Sequence, residues 1–570
     1  MIDPGRETTP QTRIYSLVLP ALLLVVVISI ILLASVPPVS RDALTHHLFV
    51  PRLYLEHGGI YEIPEIPFSY YPMNLDLLYM IPLYFGNDIL PKYIHFLFAL
   101  LTTWLIYNYL KKRISPAYGL VGGLFFLSIP IIVKLSITIY VDLGLMFFTT
   151  ASLLLLFRWL NSGHKIRYLV LAGLCCGLAA GTKYNGLVSV FLLSLFTPVL
   201  YIRSRKGATG SSSRAIGFAL IFVTATLAAY SPWLIRNYAW TGNPIYPLHD
   251  SLFQQVALQH NNDTPPDPQK TASRLVKKIT SSGSSVFASR KILYHETWWQ
   301  ALLLPVRFFF QGQDDNPRYF DGKLNPFLFI LPFFAFLKKS PGRAQLEKNT
   351  LLAFAVLFFL FTFFQEAMRI RYIVTIVPCL AILSMMGLCN IAKLVANSQF
   401  FPNGRTEKIL LLVITVAMLG YNGRYILQQF QIVQPISFLN GRLSRDQYIT
   451  RFRPEYPAIQ YANNHITPNT KVLCLFLGNR GYYMDFQPVF KRPGQSGLFP
   501  DSLKKASGHK YTIRDELLRR GINHILLRND LTDNWLQYLE PGKRERILAF
   551  FQQNTAQVYS YGGFSLYNLR

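Results

Sequence analysis

Charge is scarce in this 570-residue chain: Asp, Glu, Lys and Arg make up 15% of it, against roughly a quarter in an ordinary soluble domain. A fully solvated protein of this length is thereby excluded. Cysteine is scarcer still, with five residues. Cys175 and Cys176 sit side by side in one apolar run, Cys379 and Cys389 share another, and Cys474 alone lies outside such runs. That distribution offers neither a disulfide framework nor a zinc pattern. No GxGxxG or Walker-type loop is present, so nothing points to nucleotide binding. No internal repeat is discernible, which weighs against transporters built from inverted repeats.

What is abundant is apolar sequence. Runs long enough, or nearly long enough, to span a bilayer occur at about 14–35, 89–110, 116–133, 139–159, 166–182, 184–202, 215–235, 325–338, 349–364, 371–393 and 408–427. A span needs roughly 20 helical residues, so 325–338 and 349–364 must borrow from their flanks. The first run exceeds the usual core of a cleavable leader, about 7–15 residues, and reads as a retained helix.

Basic residues outnumber acidic ones, 56 to 29, for a formal charge of +27. They cluster in the short loops: Lys111-Lys112-Arg113, then Arg158, Lys165 and Arg167, then Arg203, Arg205, Lys206 and Arg214. Lys338, Lys339, Arg343 and Lys348 follow, then Lys393, Arg405 and Lys408. One assignment, with the N-terminus inside, puts every cluster on the cytoplasmic side. The charge therefore serves orientation and anionic headgroups rather than nucleic acid.

The expected architecture is a mainly α, polytopic membrane protein with about eleven transmembrane helices. Residues 1–429 form the membrane region, with outer loops at 36–88 and 236–324. Leu44, Leu48 and Leu55 predict an interfacial helix in the first loop, bent at Pro51. TWWQALLLPVRFFF predicts another in the second. Residues 430–570 read as a small extracytoplasmic α/β domain. It has strands at 471–477 and INHILLR, helices at TIRDELLRRG and GKRERILAFFQQ, and a hairpin turning on Gly562-Gly563.

Ionisable residues beside membrane segments are costly and usually functional. Under this topology Asp42, Asp142, Lys183, Arg236, Glu366, Arg369 and Arg371 fall on the outer rim. A carboxylate there can act as a general base or hold a divalent metal. Arg and Lys can grip a phosphate leaving group. The plainer alternatives are a helix N-terminal charge for Asp142, a helix cap for Asp42, and snorkelling anchors for Lys183, Arg236 and Arg371. His46 lies one turn after Asp42 and could orient it. Tyr70 and Tyr71 read as an aromatic belt or a sugar platform.

The order of these segments is informative. DALTHHLFVPRLYLEHGGIY, SYYPMNLDLLY, YVDLGLMFF, GLAAGTKYNGL, WLIRNYAWTGNPIYP and RIRYIVTIVPCLAIL together resemble bacterial members of the GT-C glycosyltransferase superfamily. The likeness is to the branch near the protein O-mannosyltransferases and the aminoarabinose transferases of lipid A. It covers about 30–250 and 365–385 well, and the tail only in general style. The resemblance implies an inverting enzyme of the bacterial inner membrane, with a polyprenyl-phosphate sugar as donor and a protein, lipid or glycan as acceptor. It makes Asp42 the base or metal-site residue and Asp142 the second acid. Lys183 and Arg371, with Arg236 and Arg369, would contact the donor phosphate. His46, His47, Tyr70, Tyr71, Tyr184 and Glu366 would orient these groups or touch substrate.

Two departures matter. Ala43 stands where the protein mannosyltransferases have the second residue of an acidic pair. No Asp-x-Glu stands in the second outer loop, so a divalent metal, with Asp42, Asp142 and His46 as its ligands, is left open. The competing readings are a transporter or flippase of a lipid or polyanion, which would place charges at mid-membrane, and a non-catalytic envelope scaffold.

Overall fold

The computed structural model describes residues 10–205, 211–251, 253, 286–363, 368–397, 404–490 and 512–570. The chain divides into two compact units. One comprises Met1–Ala34, Tyr70–Leu78 and Lys92–Gln434; the other comprises Ser35–Ser69, Tyr79–Pro91 and Pro435–Arg570.

The first unit is helical, and each apolar run of the sequence carries a helix. Among the described residues eight are long and apolar enough to cross a membrane, or nine if one bent pair counts as a span. They include Leu90–Arg113, Asp142–Asn161, Gly186–Ser204 and Ile370–Ala396. Runs 166–182 and 325–338 form helices of 15 and 8 residues, Ile166–Ala180 and Phe327–Phe334, so the expected eleven is not reached by length. Apolar side chains such as Leu17, Ile235 and Leu427 point outward, as a lipid solvent requires.

The bent pair is Pro116–Ser128 and Pro130–Ser136, at 64°. Pro116 opens it at the first turn behind a Ser115 cap that accepts from the Tyr118 amide, and Pro130 breaks it by forcing Ile129 extended. Buried amides reinforce the break: Asn325 donates to Asn422, 2.8 Å, and Asn422 donates to Ser128 Oγ, 2.9 Å. Helices Ile166–Ala180 and Ser211–Thr241 approach so closely that a Cβ on Gly177 would fall 2.2 Å from the Thr226 carbonyl oxygen, a small-residue contact typical of membrane helices.

Arg113, Asn161 and Glu347 come from three of the loop regions assigned above to one side. Glu347, fully buried, accepts from Tyr109 and Asn161 and pairs with Arg113. The second-loop element consists of Trp298–Leu302, opened by a Thr297–Gln300 capping box, and Leu304–Phe310. Trp298, Trp299, Leu302 and Leu303 stay exposed, as an interfacial segment leaves them.

In the second unit, Ala43–His47 is a π-helical turn and Phe49–His57 an α-helix. The irregularity therefore sits before Leu48, not at Pro51: a proline in the first turn of a helix lacks an N–H that would be unpaired anyway. The described residues of the tail form strands β1 Lys471–Leu475, β2 Gln487–Phe490, β3 Ile522–Arg528, β4 Thr555–Tyr561 and β5 Phe564–Leu569. They join in one sheet, in the order β2-β1-β3-β5-β4. β1 lies parallel to β2 and β3, and β5 runs antiparallel to β3 and β4. Alternation in β1 sends Leu473 and Leu475 to one face, packed with Leu517, Ile547 and Phe550. Val472 and Cys474 go to the other, packed with Ala458, Ile459 and Ala462. Helices thus cover both faces, and Gly562-Gly563, both at positive φ, turn the β4–β5 hairpin.

Candidate active site

Asp142 opens helix Asp142–Asn161 and its side chain is 2% exposed. Two local features fix it there. The next amide, of Leu143, donates to His95 Nε2 at 3.0 Å, while His95 Nδ1 lies 3.0 Å from the carbonyl oxygens of Leu135 and Thr138. Two carbonyl partners require Nδ1 to be the donor, which leaves Nε2 as the acceptor. The ring pins the helix start against the end of the bent pair. Lys183, in the turn between Ile166–Ala180 and Gly186–Ser204, then donates to Asp142 Oδ1 at 2.6 Å. Asp142 Oδ2 has no hydrogen-bond partner among the described residues. A buried carboxylate with one oxygen open is rare in a purely structural role.

Aromatic rings and a second cation surround the pair. Lys183 Nζ lies over the Tyr372 ring, 5.3 Å from its centre. Arg371 lies between the Tyr140 and Tyr372 rings, at 5.0 and 5.2 Å, and interacts electrostatically with Asp142. Aromatic faces add attraction for both cations beside that of the Asp142 carboxylate.

A second layer adjoins through Tyr71, which packs on Tyr184 with ring centres 5.1 Å apart. Burial, with Tyr372 nearby, pushes the Tyr71 hydroxyl above the usual tyrosine range, and burial does the same to Tyr184. Both therefore remain hydrogen-bond donors. Tyr184 donates to the Tyr246 carbonyl at 2.6 Å. Asn237 donates to the Tyr70 carbonyl and to Tyr184 Oη, at 2.9 and 3.1 Å. Arg236 donates to the Tyr70 and Tyr71 carbonyls and lies over Trp233 and Trp240. Asn74 completes the tie: its amide donates to the Gly181 carbonyl and its side-chain oxygen accepts from Trp233. Arg236 thus fastens the Tyr70-Tyr71 segment to the end of helix Ser211–Thr241.

Of the residues singled out in the sequence, Asp142, Lys183, Arg371, Tyr71, Tyr184, Tyr70 and Arg236 come together in the first unit. Arg369 does not join them. It pairs with Asp321 at 3.6 Å, within a cluster in which Lys134 meets Asp314, Asp315 and Asp321 and Tyr425 donates to Asp314. Glu366 lies outside the described residues. Asp42, His46 and His47 belong to the second unit, where Asp42 immediately precedes the π-helical turn. His46 stacks on Phe68 and packs against His47, ring centres 4.4 and 4.0 Å apart. Among the described residues no group of three or more His, Cys, Asp or Glu is arranged to hold a metal ion, and the partner of Asp142 is a lysine. His95, Asn74 and Lys134 were not picked out from the sequence, although a lone His or Lys inside an apolar run is the signal that marks such positions.

The comparisons with known proteins now have a geometry to bear on. The family model for dolichyl-phosphate-mannose-protein mannosyltransferase matches residues 57–240, a stretch that holds Tyr70, Tyr71, Asp142, Lys183 and Arg236. Among solved structures, ArnT from Cupriavidus metallidurans matches in its apo state and bound to undecaprenyl phosphate. Each match has a TM-score of 0.56 and 14% identity, over 97% of this chain and 97% of that one. AglB from Archaeoglobus fulgidus, an archaeal oligosaccharyltransferase in complex with an inhibitory peptide and a dolichol-phosphate, matches with a TM-score of 0.52 and 13% identity. That match covers 97% of this chain and 74% of that one. No curated protein sequence matches. Its described residues thus include helices long and apolar enough to cross a membrane, residues 57–240 resemble the mannosyltransferase family, and the fold is the one shared by ArnT and AglB.

Proposed function

We propose that the protein transfers a sugar from a polyprenyl-phosphate donor to an acceptor at the outer face of the bacterial inner membrane, with inversion. The observation that carries this reading is the buried Asp142–Lys183 pair with one carboxylate oxygen open, beside Arg371 held over two tyrosine rings. A polyprenyl tail stays in lipid, so its phosphate must be met where membrane helices end, which is where these residues are. Neighbours of the same fold bind undecaprenyl phosphate and dolichol-phosphate, which supports a lipid-linked donor.

In the reaction an acceptor hydroxyl or amine attacks the anomeric carbon and a new glycosidic bond forms. The bond from that carbon to the phosphate oxygen breaks, and polyprenyl phosphate leaves with the electron pair. Arg371 stabilises the charge that grows on the leaving phosphate, and Lys183, already matched by Asp142, orients rather than neutralises it. The acceptor proton passes to a general base. Asp42 takes that role on the resemblance of its segment and on the π-helical turn that follows it, a distortion frequent at functional sites. Residues 36–88, 236–324 and 430–570 then share the outer side. Residues 1–429 are the catalytic membrane region and the tail is an extracytoplasmic α/β domain.

Purified protein in nanodiscs, incubated with a panel of polyprenyl-phosphate sugars, should consume one of them and release polyprenyl phosphate. Donor loss that is the same in wild type and in Arg371→Ala would refute the proposed phosphate site.

A further inference from the structure

A cleft of about 750 Å³ lies wholly inside the second unit. Its walls follow from helical spacing: Arg52, Leu55 and Glu56 share a face of helix Phe49–His57, and Tyr456, Gln460 and Asn463 share a face of Tyr456–His465. Asp88, Arg445, Tyr482 and Asp485 close it.

The cations of this cleft are already committed. Arg52 donates to Glu56 at 2.6 Å, to the Tyr482 carbonyl at 2.6 Å and to Asp485 at 2.8 Å. Arg445 pairs with Asp88, which also accepts from Tyr482 at 3.4 Å. Three carboxylates face two guanidinium groups, so an anion such as a phosphate meets no spare positive charge. Glu56 and Asp485 are half exposed, at 51% and 54%, and offer acceptor oxygens to solvent. Burial, with Asp88 nearby, pushes the Tyr482 hydroxyl above the usual tyrosine range, so it keeps its proton. Carboxylate acceptors, each held through one oxygen by Arg52 or Arg445 and flanked by tyrosines, match a ligand that is uncharged and rich in hydroxyl donors. The volume holds about two or three sugar rings.

The rim adds a location. Tyr84 is 74% exposed in the wall, and Ile81, Phe85 and Leu90 beside it are exposed as well. An apolar edge of this kind sits in the interfacial layer of a bilayer. We propose that the cleft binds neutral sugar residues of a glycan presented at the membrane surface, and so selects the acceptor. Only the word acceptor rests on the transferase reading; the binding itself does not.

Saturation-transfer NMR on the full-length protein in nanodiscs tests it, with maltotriose and chitotriose as neutral probes and glucose 1-phosphate as the charged one. At least one neutral trisaccharide should bind, and Tyr84→Ala combined with Gln460→Ala should weaken it by at least about tenfold. Glucose 1-phosphate should not compete. Binding that is insensitive to Tyr84 and Gln460, abolished instead by Arg371→Ala, or absent for both trisaccharides would overturn the site. A bound trisaccharide with no transfer from any polyprenyl donor would leave the cleft standing and remove the transferase reading instead.

Discussion

Lys183→Ala should destabilise the protein more than Asp142→Asn does, and adding Asp142→Asn to Lys183→Ala should restore part of the loss. The reason is the asymmetry of the pair. The Asp142 side chain is 2% exposed and the Lys183 side chain 19%, so removing the lysine strands a buried carboxylate, whereas removing the carboxylate leaves an ammonium that water can reach. Breaking a buried pair from one side costs about 3–5 kcal/mol, of which Arg371 offsets part through its own interaction with Asp142. Neutralising the carboxylate in the lysine-free background removes the stranded charge, so the two changes should couple by about 1–3 kcal/mol. Thermal unfolding of the purified variants in nanodiscs, followed by intrinsic fluorescence, reads the order of the melting temperatures. A double variant that melts lower by the sum of the two single losses would refute the argument.

Arg371→Ala should weaken polyprenyl-phosphate binding by about tenfold to a hundredfold, the worth of one charge-assisted contact, and Arg371→Lys should recover part; equal affinity in all three removes Arg371 from the phosphate site. Asp42→Asn, expressed at normal levels, should transfer at least about a hundredfold more slowly with donor affinity unchanged, and near-normal turnover would exclude it as the base. Glu296, buried between Arg290 and Arg307 at 2.8 and 2.9 Å, keeps a carboxyl below the usual range because those hydrogen bonds outweigh burial. Its folded value is depressed, so its contribution is full above the unfolded value of about 4.5 and is lost as pH falls through the folded one; hydrogen-exchange protection across 286–320, taken relative to the unstructured rate at each pH, should fall with acid in wild type, and the same fall in Glu296→Gln would contradict this. A cysteine at Ser212 should resist a membrane-impermeant thiol reagent in intact cells while one at the exposed Glu65 reacts, and labelling at Ser212 would invert the topology.

Much of the fold was legible because a bilayer is a demanding solvent. Each apolar run became a helix, and the tail's strands at 471–475 and 522–528 and its Gly-Gly hairpin followed from alternation and turn chemistry. What the sequence hid were changes of regularity. The break at Pro130 was signalled by the proline but merged into one run, and the π-helical turn at Ala43–His47 has no residue signature. β2 escaped because Pro488 and four residues give no alternation; it survives as an edge strand, where a missing donor is tolerated. Helix Arg445–Phe452 escaped although Ser444 and Gln447 form a capping box before it.

Side-chain partnership was the least legible property, and it decides the chemistry. Arg369 and Arg371 are two residues apart, yet one joins Asp321 and the other Tyr140 and Tyr372, because Arg369 is extended just before a 3-10 helix that begins at Ile370. No pattern of spacing foretells that split. The pairing of Asp142 with Lys183 likewise joins residues 41 apart across a helical hairpin. Its consequence bears on the carboxylate that the resemblance made the second acid. A carboxylate whose charge is already matched at 2.6 Å by an ammonium is a poor proton acceptor, since the ion pair favours its charged form. Asp142 is therefore suited to holding Lys183 in place, with its second carboxylate oxygen unbonded among the described residues.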